Sequence, residues 1–296
     1  MTRYDPHELN AQYNNRALVP DFADYLARWS LLSEETRARS GVALDVAYGP
    51  AERETLDVFN APGSGVATQG KAATKRPVVI YIHGGYWRSL SKREHSFVAQ
   101  PFVDRQHCVV LPNYPLCPSV GVTDIALSLT RAVAWVYKHI ATYGGDPDNI
   151  VLIGHSAGGH LAAMLTRCAW PVVDNALPRQ TVKSALAISG LFDLEPLMHS
   201  PMLQADVRLT PEQVALASPV RFKRPSKRQA ITPLSCVVGR DESDEFRRQN
   251  QLLKAHWGSS AVPVALEIPG CNHFSILDAL VQPGSALNRL AMGLSQ

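Results

Sequence analysis

The sequence predicts an α/β fold, a mostly parallel central sheet with helices on its flanks. Three observations predict it. Short apolar runs ("PVVIYI" from Pro77, "CVVLP" at 108–112, "IVLI" at 150–153, "SALAIS" at 184–189, "LSCVVG" at 234–239) recur along the chain. Longer stretches of helical periodicity separate them, as expected for parallel strands buried on both faces. One run passes straight into a helical pattern through a glycine-flanked serine, "VLIGHSAGGHLAAML" from Val151.

Residues 1–41 read as a mainly helical N-terminal segment, because "DFADYLARWSLLSEETRARS" sets Phe22, Tyr25, Leu26 and Trp29 at i, i+3, i+4 and i+7. "VALDVAYG" alternates Val42, Leu44, Val46 and Tyr48, the period of a half-buried strand, with "ETLDVF" as its hairpin partner. "NAPGSGVATQGKAATKR" lacks any period and reads as an exposed loop. "VTDIALSLTRAVAWVYKHIATYG" places Ile125, Leu129, Ala132, Val133, Val136 and Ile140 on one face, and Gly144-Gly145 ends that helix. "PVALEIPG" at 263–270 closes the set of strands. Residues 190–230 carry several prolines and two basic clusters, match neither period, and are expected to form a cap-like insertion over the sheet. With no internal repeat, residues 1–296 are expected to form a single domain.

Apolar residues make up 46% and charged residues 19%, ordinary for a soluble chain with a sizeable core. A formal net charge of +3 gives no particular attraction to nucleic acid or to an acidic membrane surface. The polar start "MTRYDPHELNAQYNNR" lacks a secretory apolar run, and no apolar segment reaches the roughly 20 residues a bilayer span needs. Cys108, Cys117, Cys168, Cys236 and Cys271 are odd in number and show no CxxC spacing, so reduced thiols and a cytoplasmic location are expected. No His-x3-His pattern suggests a metal, and no cofactor is expected. The expected partner is a small-molecule substrate; assembly as a homodimer stays open.

"GHSAG" at 154–158 matches G-x-S-x-G with a strand before it and a helix after it. There Ser156 reads as a nucleophile held on a strained turn, with the helix N-terminus aimed at a developing oxyanion. A plain helix N-cap is the competing use of such a serine. A serine needs a base, and the base an orienting acid, in the chain order Ser, acid, His. His273, just after the last strand, is the expected base in preference to His256 within a helix. The acid should follow "LSCVVG": Asp241 and Glu242 both stay open, while Asp244 and Glu245 fall in a first helical turn and serve its dipole. His83-Gly84-Gly85 after "PVVIYI" supplies the second oxyanion element, so the backbone N–H groups of Gly85, Tyr86 and Ala157 are the expected donors. His83 itself reads as structural.

Together these residues resemble the α/β-hydrolase superfamily, in particular the branch of the kynurenine formamidases (arylformamidases) and the HGGG-type esterases. The resemblance rests on "HGGYW" at 83–87, "NYPLCP" at 113–118, "GHSAGGHLA" at 154–162, "ESDEFRRQ" at 242–249 and "NHF" at 272–274, and covers roughly residues 75–280. It implies an α/β-hydrolase fold and sets Glu242 at the family's catalytic Asp position, with Asp241 one residue earlier. It also implies hydrolysis of N-formyl-L-kynurenine to kynurenine and formate, a step of tryptophan breakdown. An aryl substrate suits aromatic walls, for which Tyr86, Trp87 and Tyr114 are candidates, and Arg88 is a candidate cation for its carboxylate. Two rivals accompany this reading: a broad-range carboxylesterase with the same triad, and a ligand-binding protein without turnover, against which the intact triad counts.

Overall fold

The computed structural model describes residues 4–39, 41–60, 75–225 and 231–296. The loop expected at residues 60–76 therefore lies almost wholly outside the described residues, as does the end of the 190–230 insertion. Eight strands form one sheet in the order β1-β2-β4-β3-β5-β6-β7-β8. They are β1 Val42–Ala47, β2 Thr55–Phe59, β3 Arg76–Ile82, β4 Cys108–Pro112, β5 Gly145–His155, β6 Val182–Ile188, β7 Leu234–Gly239 and β8 Ala265–Ile268. β2 pairs antiparallel with β1 and β4, and the remaining neighbours are parallel. The expected mostly parallel α/β fold is thus observed.

The continuous apolar runs follow from burial on two sides. Val78, Ile80 and Ile82 of β3, with Ile150 and Leu152 of β5, join the core beneath helices Val122–His139 and Ala157–Leu165. Val79 and Tyr81, with Val151 and Ile153, join the opposite core, covered by Trp29, Ile276, Leu277 and Leu287. A period-2 strand with two dry faces has no polar position to alternate with.

The N-terminal segment is helical as expected: α1 Pro6–Tyr13, α2 Asn15–Leu18 and α3 Phe22–Arg37. Phe22, Tyr25, Leu26 and Trp29 all pack on the second core, so the helical stripe is the buried face. The helix at Val122 stays α-helical to His139, tightens into a 3₁₀ turn at Ile140–Tyr143, and stops at Gly144 with φ +79°. Gly145 already belongs to β5. The prolines of the insertion open short helices: Pro196, Pro201 and Pro211 each lie in a first turn, where the missing N–H costs nothing. Among the described residues no helix is long and apolar enough to cross a membrane.

β1 departs from the alternation read in its sequence. Its register with β2 shifts between Ala43 and Val46, Asp45 adopts φ +55°, and Leu44 is exposed. The bulge has an electrostatic reason. Asp45 reaches the ammonium of Lys92, which is buried and also donates to Asp57 Oδ1 at 2.5 Å. Asp57 is fully buried and takes Arg37 of α3 and the Asp45 amide (2.8 Å) as well. The network ties α3, the sheet edge and the segment after β3 together. Removing one partner of a buried ion pair strands the other, so Asp57→Ala is expected to cost about 3–5 kcal/mol. Urea unfolding measures this; a loss below about 1 kcal/mol would mark the network as no better than a surface pair.

Candidate active site

β3 and β5 are neighbours, and Ile82 pairs with Gly154, so the loop after one strand meets the bend after the other. Ser156 occupies that bend with φ +56° and ψ −119°, a conformation a side-chain-bearing residue holds only when its surroundings impose it. They do so through packing. A Cβ at Gly154 would lie 2.0 Å from the Gly158 carbonyl oxygen, and one at Gly158 would lie 2.0 Å from that of Ile82. The Ser156 N–H, meanwhile, donates to the Ile188 carbonyl at 2.8 Å, continuing the β5–β6 ladder. The Ser156 hydroxyl makes no capping bond to the helix that follows, which sets aside the N-cap reading.

The loop at 83–87 is equally constrained. Gly85, Tyr86 and Trp87 have φ of +108°, +49° and +57°. The Gly85 carbonyl accepts from the amides of Arg88 (3.0 Å) and Ser89 (3.1 Å), and the Trp87 carbonyl accepts from Cys117 N–H at 2.9 Å. With these carbonyls engaged, the Gly85, Tyr86 and Ala157 N–H groups find no acceptor among the described residues. Three unpaired donors beside a hydroxyl can stabilise negative charge on a substrate oxygen.

His273 follows β8 and donates from Nδ1 to Glu242 Oε2 at 2.6 Å. Glu242 is buried, and its Oε1 accepts from Ser189 Oγ at 2.5 Å and from the Gly239 N–H at 2.7 Å. Ionised, this carboxylate accepts three donors and holds the imidazole with Nε2 free to take a proton. Of the two acids left open by the sequence, Glu242 meets His273, while Asp241 is exposed and bonds through its backbone N–H to the Cys271 carbonyl. Asp244 and Glu245 begin helix Asp244–Trp257, and His256 lies near its end.

Ser156, His273, Gly84, Gly85 and Tyr86 border one cavity of about 360 Å³. Its other walls include Tyr13, Arg16, Leu26 and Trp29 from the N-terminal segment, His95, His155, Phe274, and Met202 and Asp206 from the insertion. The aromatic walls expected from Trp87 and Tyr114 are elsewhere. Trp87 is fully buried beneath the loop and donates from Nε1 to His160 Nδ1 at 3.2 Å. Tyr114 is also fully buried, stacks on His83 at 4.3 Å, and donates its hydroxyl to the His83 carbonyl at 2.8 Å. Both support the loop from below, because a backbone with consecutive left-handed residues needs filled space behind it. Arg88 reaches the cavity but donates to Asp206 at 2.6 Å and to the Met202 carbonyl at 2.8 Å. The sequence reading missed the contribution of Trp29 and Tyr13. The signal for Trp29 was the apolar stripe, which marks a helix as buried without saying against what; Tyr13 lies outside that stripe, on α1. Among the described residues no group of three or more His, Cys, Asp or Glu side chains is placed to hold a metal ion.

The BD-FAE family model matches residues 66–243. A kynurenine formamidase from Danio rerio is 34% identical over 297 residues, covering 96% of this chain and 94% of that protein. One from Salmo salar is 33% identical, covering 88% and 84%. The chain belongs to the kynurenine formamidase branch of the α/β-hydrolase superfamily. Among solved structures, a protein from Silicibacter sp. tm1040 provisionally described as a thioesterase superposes with TM-score 0.78 at 28% identity, covering 96% of this chain and 99% of that one. The protein is accordingly a hydrolase.

Several buried histidines brace the hydrolase's site. Burial holds His83, His95 and His155 below the ordinary imidazole range, and pushes His160 down to about 4. His160 donates from Nε2 to the Ala217 carbonyl at 2.6 Å, so its neutral form is the one the fold accommodates. Unfolded histidine binds a proton near pH 6.5, whereas His160 in the fold stays neutral to about 4. The unfolded chain therefore gains protons first, and stability falls as pH drops from about 7 toward 4. At pH 5 His160 alone is expected to remove about 2 kcal/mol. Urea unfolding at pH 7 and pH 5 checks this: His160→Gln, weaker at pH 7, should lose about 2 kcal/mol less than the wild type between the two.

Proposed function

We propose that the hydrolase is a serine enzyme that cleaves the formamide of N-formyl-L-kynurenine to kynurenine and formate. The observation that carries the chemistry is the 2.6 Å bond from His273 to the enclosed Glu242 carboxylate, on the cavity that Ser156 borders. Similarity to kynurenine formamidases along nearly the whole chain supports the substrate. So does a cavity of about 360 Å³ with aromatic walls, small for a broad acyl pocket and suited to an aryl leaving group.

In this reading His273 Nε2 takes the Ser156 proton as Oγ attacks the formyl carbon, and Glu242 steadies the imidazolium. The Gly85, Tyr86 and Ala157 amides receive the oxyanion, each donor being worth about 3 kcal/mol of barrier in comparable sites. His273 then passes the proton to the departing aryl amine. Water, deprotonated by the same imidazole, attacks the formyl-serine and releases formate. No cofactor enters any step.

The test is turnover of N-formyl-L-kynurenine and of p-nitrophenyl acetate by the wild type and three variants. Formylkynurenine should show much the higher kcat/KM. Ser156→Ala should lower kcat by about 10⁵–10⁶-fold and Glu242→Gln by about 10³–10⁴-fold. Asp241→Asn should stay within about twofold, as a surface change. Cleavage of the ester alone would retain the catalytic reading and discard the substrate; a fully active Ser156→Ala would discard the mechanism.

A further inference from the structure

We infer that Arg16 selects carboxylate-bearing substrates by binding that carboxylate at the mouth of the cavity; the inference rests on the formamidase reading above. For an aryl formamide carrying an amino-acid head, that group is the α-carboxylate.

The argument begins with the charges on the cavity wall. Arg16, Arg88 and Asp206 border it, together with histidines. Arg88 and Asp206 neutralise one another through their 2.6 Å bond. Arg16 has no acidic partner among the described residues; its guanidinium lies 5.3 Å over the ring of Phe22. The wall thus carries one cation in surplus. Glu242, a buried carboxylate of the site, is bonded to His273 and accepts three donors of its own.

An exposed arginine is ordinarily solvated and nothing more. Two features separate Arg16 from that case. Its backbone is fixed to the oxyanion loop. Tyr86 donates its hydroxyl to the Tyr13 carbonyl at 2.7 Å, and Asn15 Nδ2 donates to that hydroxyl at 3.4 Å. Asn14 caps the short helix that carries Arg16, accepting from Ala17 N–H at 3.2 Å. The cation therefore stands in a set relation to the amides that would hold the reacting carbonyl. Stacking on Phe22 also limits the side chain's freedom, so less entropy is lost when its planar fork meets a carboxylate.

The experiment compares two substrates that share the formanilide carbonyl: N-formyl-L-kynurenine, and 2′-formamidoacetophenone, which lacks the amino-acid head. Arg16→Ala should lower kcat/KM for formylkynurenine about tenfold or more, chiefly through KM, and leave the neutral formamide within about twofold. Arg16→Lys should recover part of the loss, and added salt should erode the wild type's preference for the carboxylate-bearing substrate. If the wild type cleaves both formamides and Arg16→Ala loses nothing on formylkynurenine, or loses equally on both, the inference is overturned while the formamidase reading stands. A wild type inert toward both formamides but active on p-nitrophenyl acetate overturns the two together.

Discussion

The site depends on one close approach, that of helix Ala157–Leu165 to the C-terminal end of β3. With 2.0 Å between a hypothetical Cβ at position 158 and the Ile82 carbonyl oxygen, any side chain there would lift the helix off the sheet. Two consequences share that single cause. The bend at Ser156 is forced into its positive φ, at a cost of order 1–3 kcal/mol, and the Ala157 amide is brought beside the loop that continues β3. Donors from two separate strand ends can converge on one substrate oxygen only if both ends are held at that spacing. Strand pairing on both sides of β5 supplies the rigidity that keeps the bend from relaxing.

The N-terminal segment belongs to the same mechanical unit. Tyr13 accepts from Tyr86 through its carbonyl, while its own hydroxyl donates to Glu245 at 2.6 Å, at the start of the helix that follows the acid loop. One residue of α1 therefore spans the loop after β3 and the helix that follows the Glu242 loop. Trp29 stacks on Phe97 at 5.6 Å and lies 6.0 Å from Phe274, the neighbour of His273, so α3 braces His273 from the other side. A core of strands fixes the ends, and helices outside the sheet fix the loops those ends emit.

The sheet was legible in the sequence because two-sided burial writes itself as uninterrupted apolar runs, and Ser156 was legible because only small residues fit the approach described above. His273 was placed by chain order. What stayed hidden has a common character. The choice between Asp241 and Glu242 turns on which way adjacent side chains face in a tight turn, and neighbouring acids look alike in one dimension. Trp87 and Tyr114 had the composition of a binding wall, yet a loop with three consecutive positive φ values needs bulk beneath it, and they supply that bulk. The β1 bulge was invisible because its cause, a buried ammonium at Lys92, lies 47 residues away.

Proton inventory bears directly on the proposed mechanism. Four imidazoles crowd the site, and a proton resting on the wrong one would compete with the base. His83 donates from Nδ1 to the Gly84 carbonyl at 2.8 Å, His95 from Nδ1 to that of Ser91 at 2.9 Å, and His155 from Nε2 to that of His273 at 3.0 Å. Each bond sets which nitrogen carries the proton in the neutral ring, and burial opposes charging. Of the four, His273 is the one hydrogen-bonded to a carboxylate. In the proposed mechanism burial opposes charging of the other three rings, which leaves His273 to carry the proton from Ser156 until the leaving amine collects it. The His155 bond adds a further constraint, because it holds the backbone of His273 while Glu242 holds the ring at Nδ1.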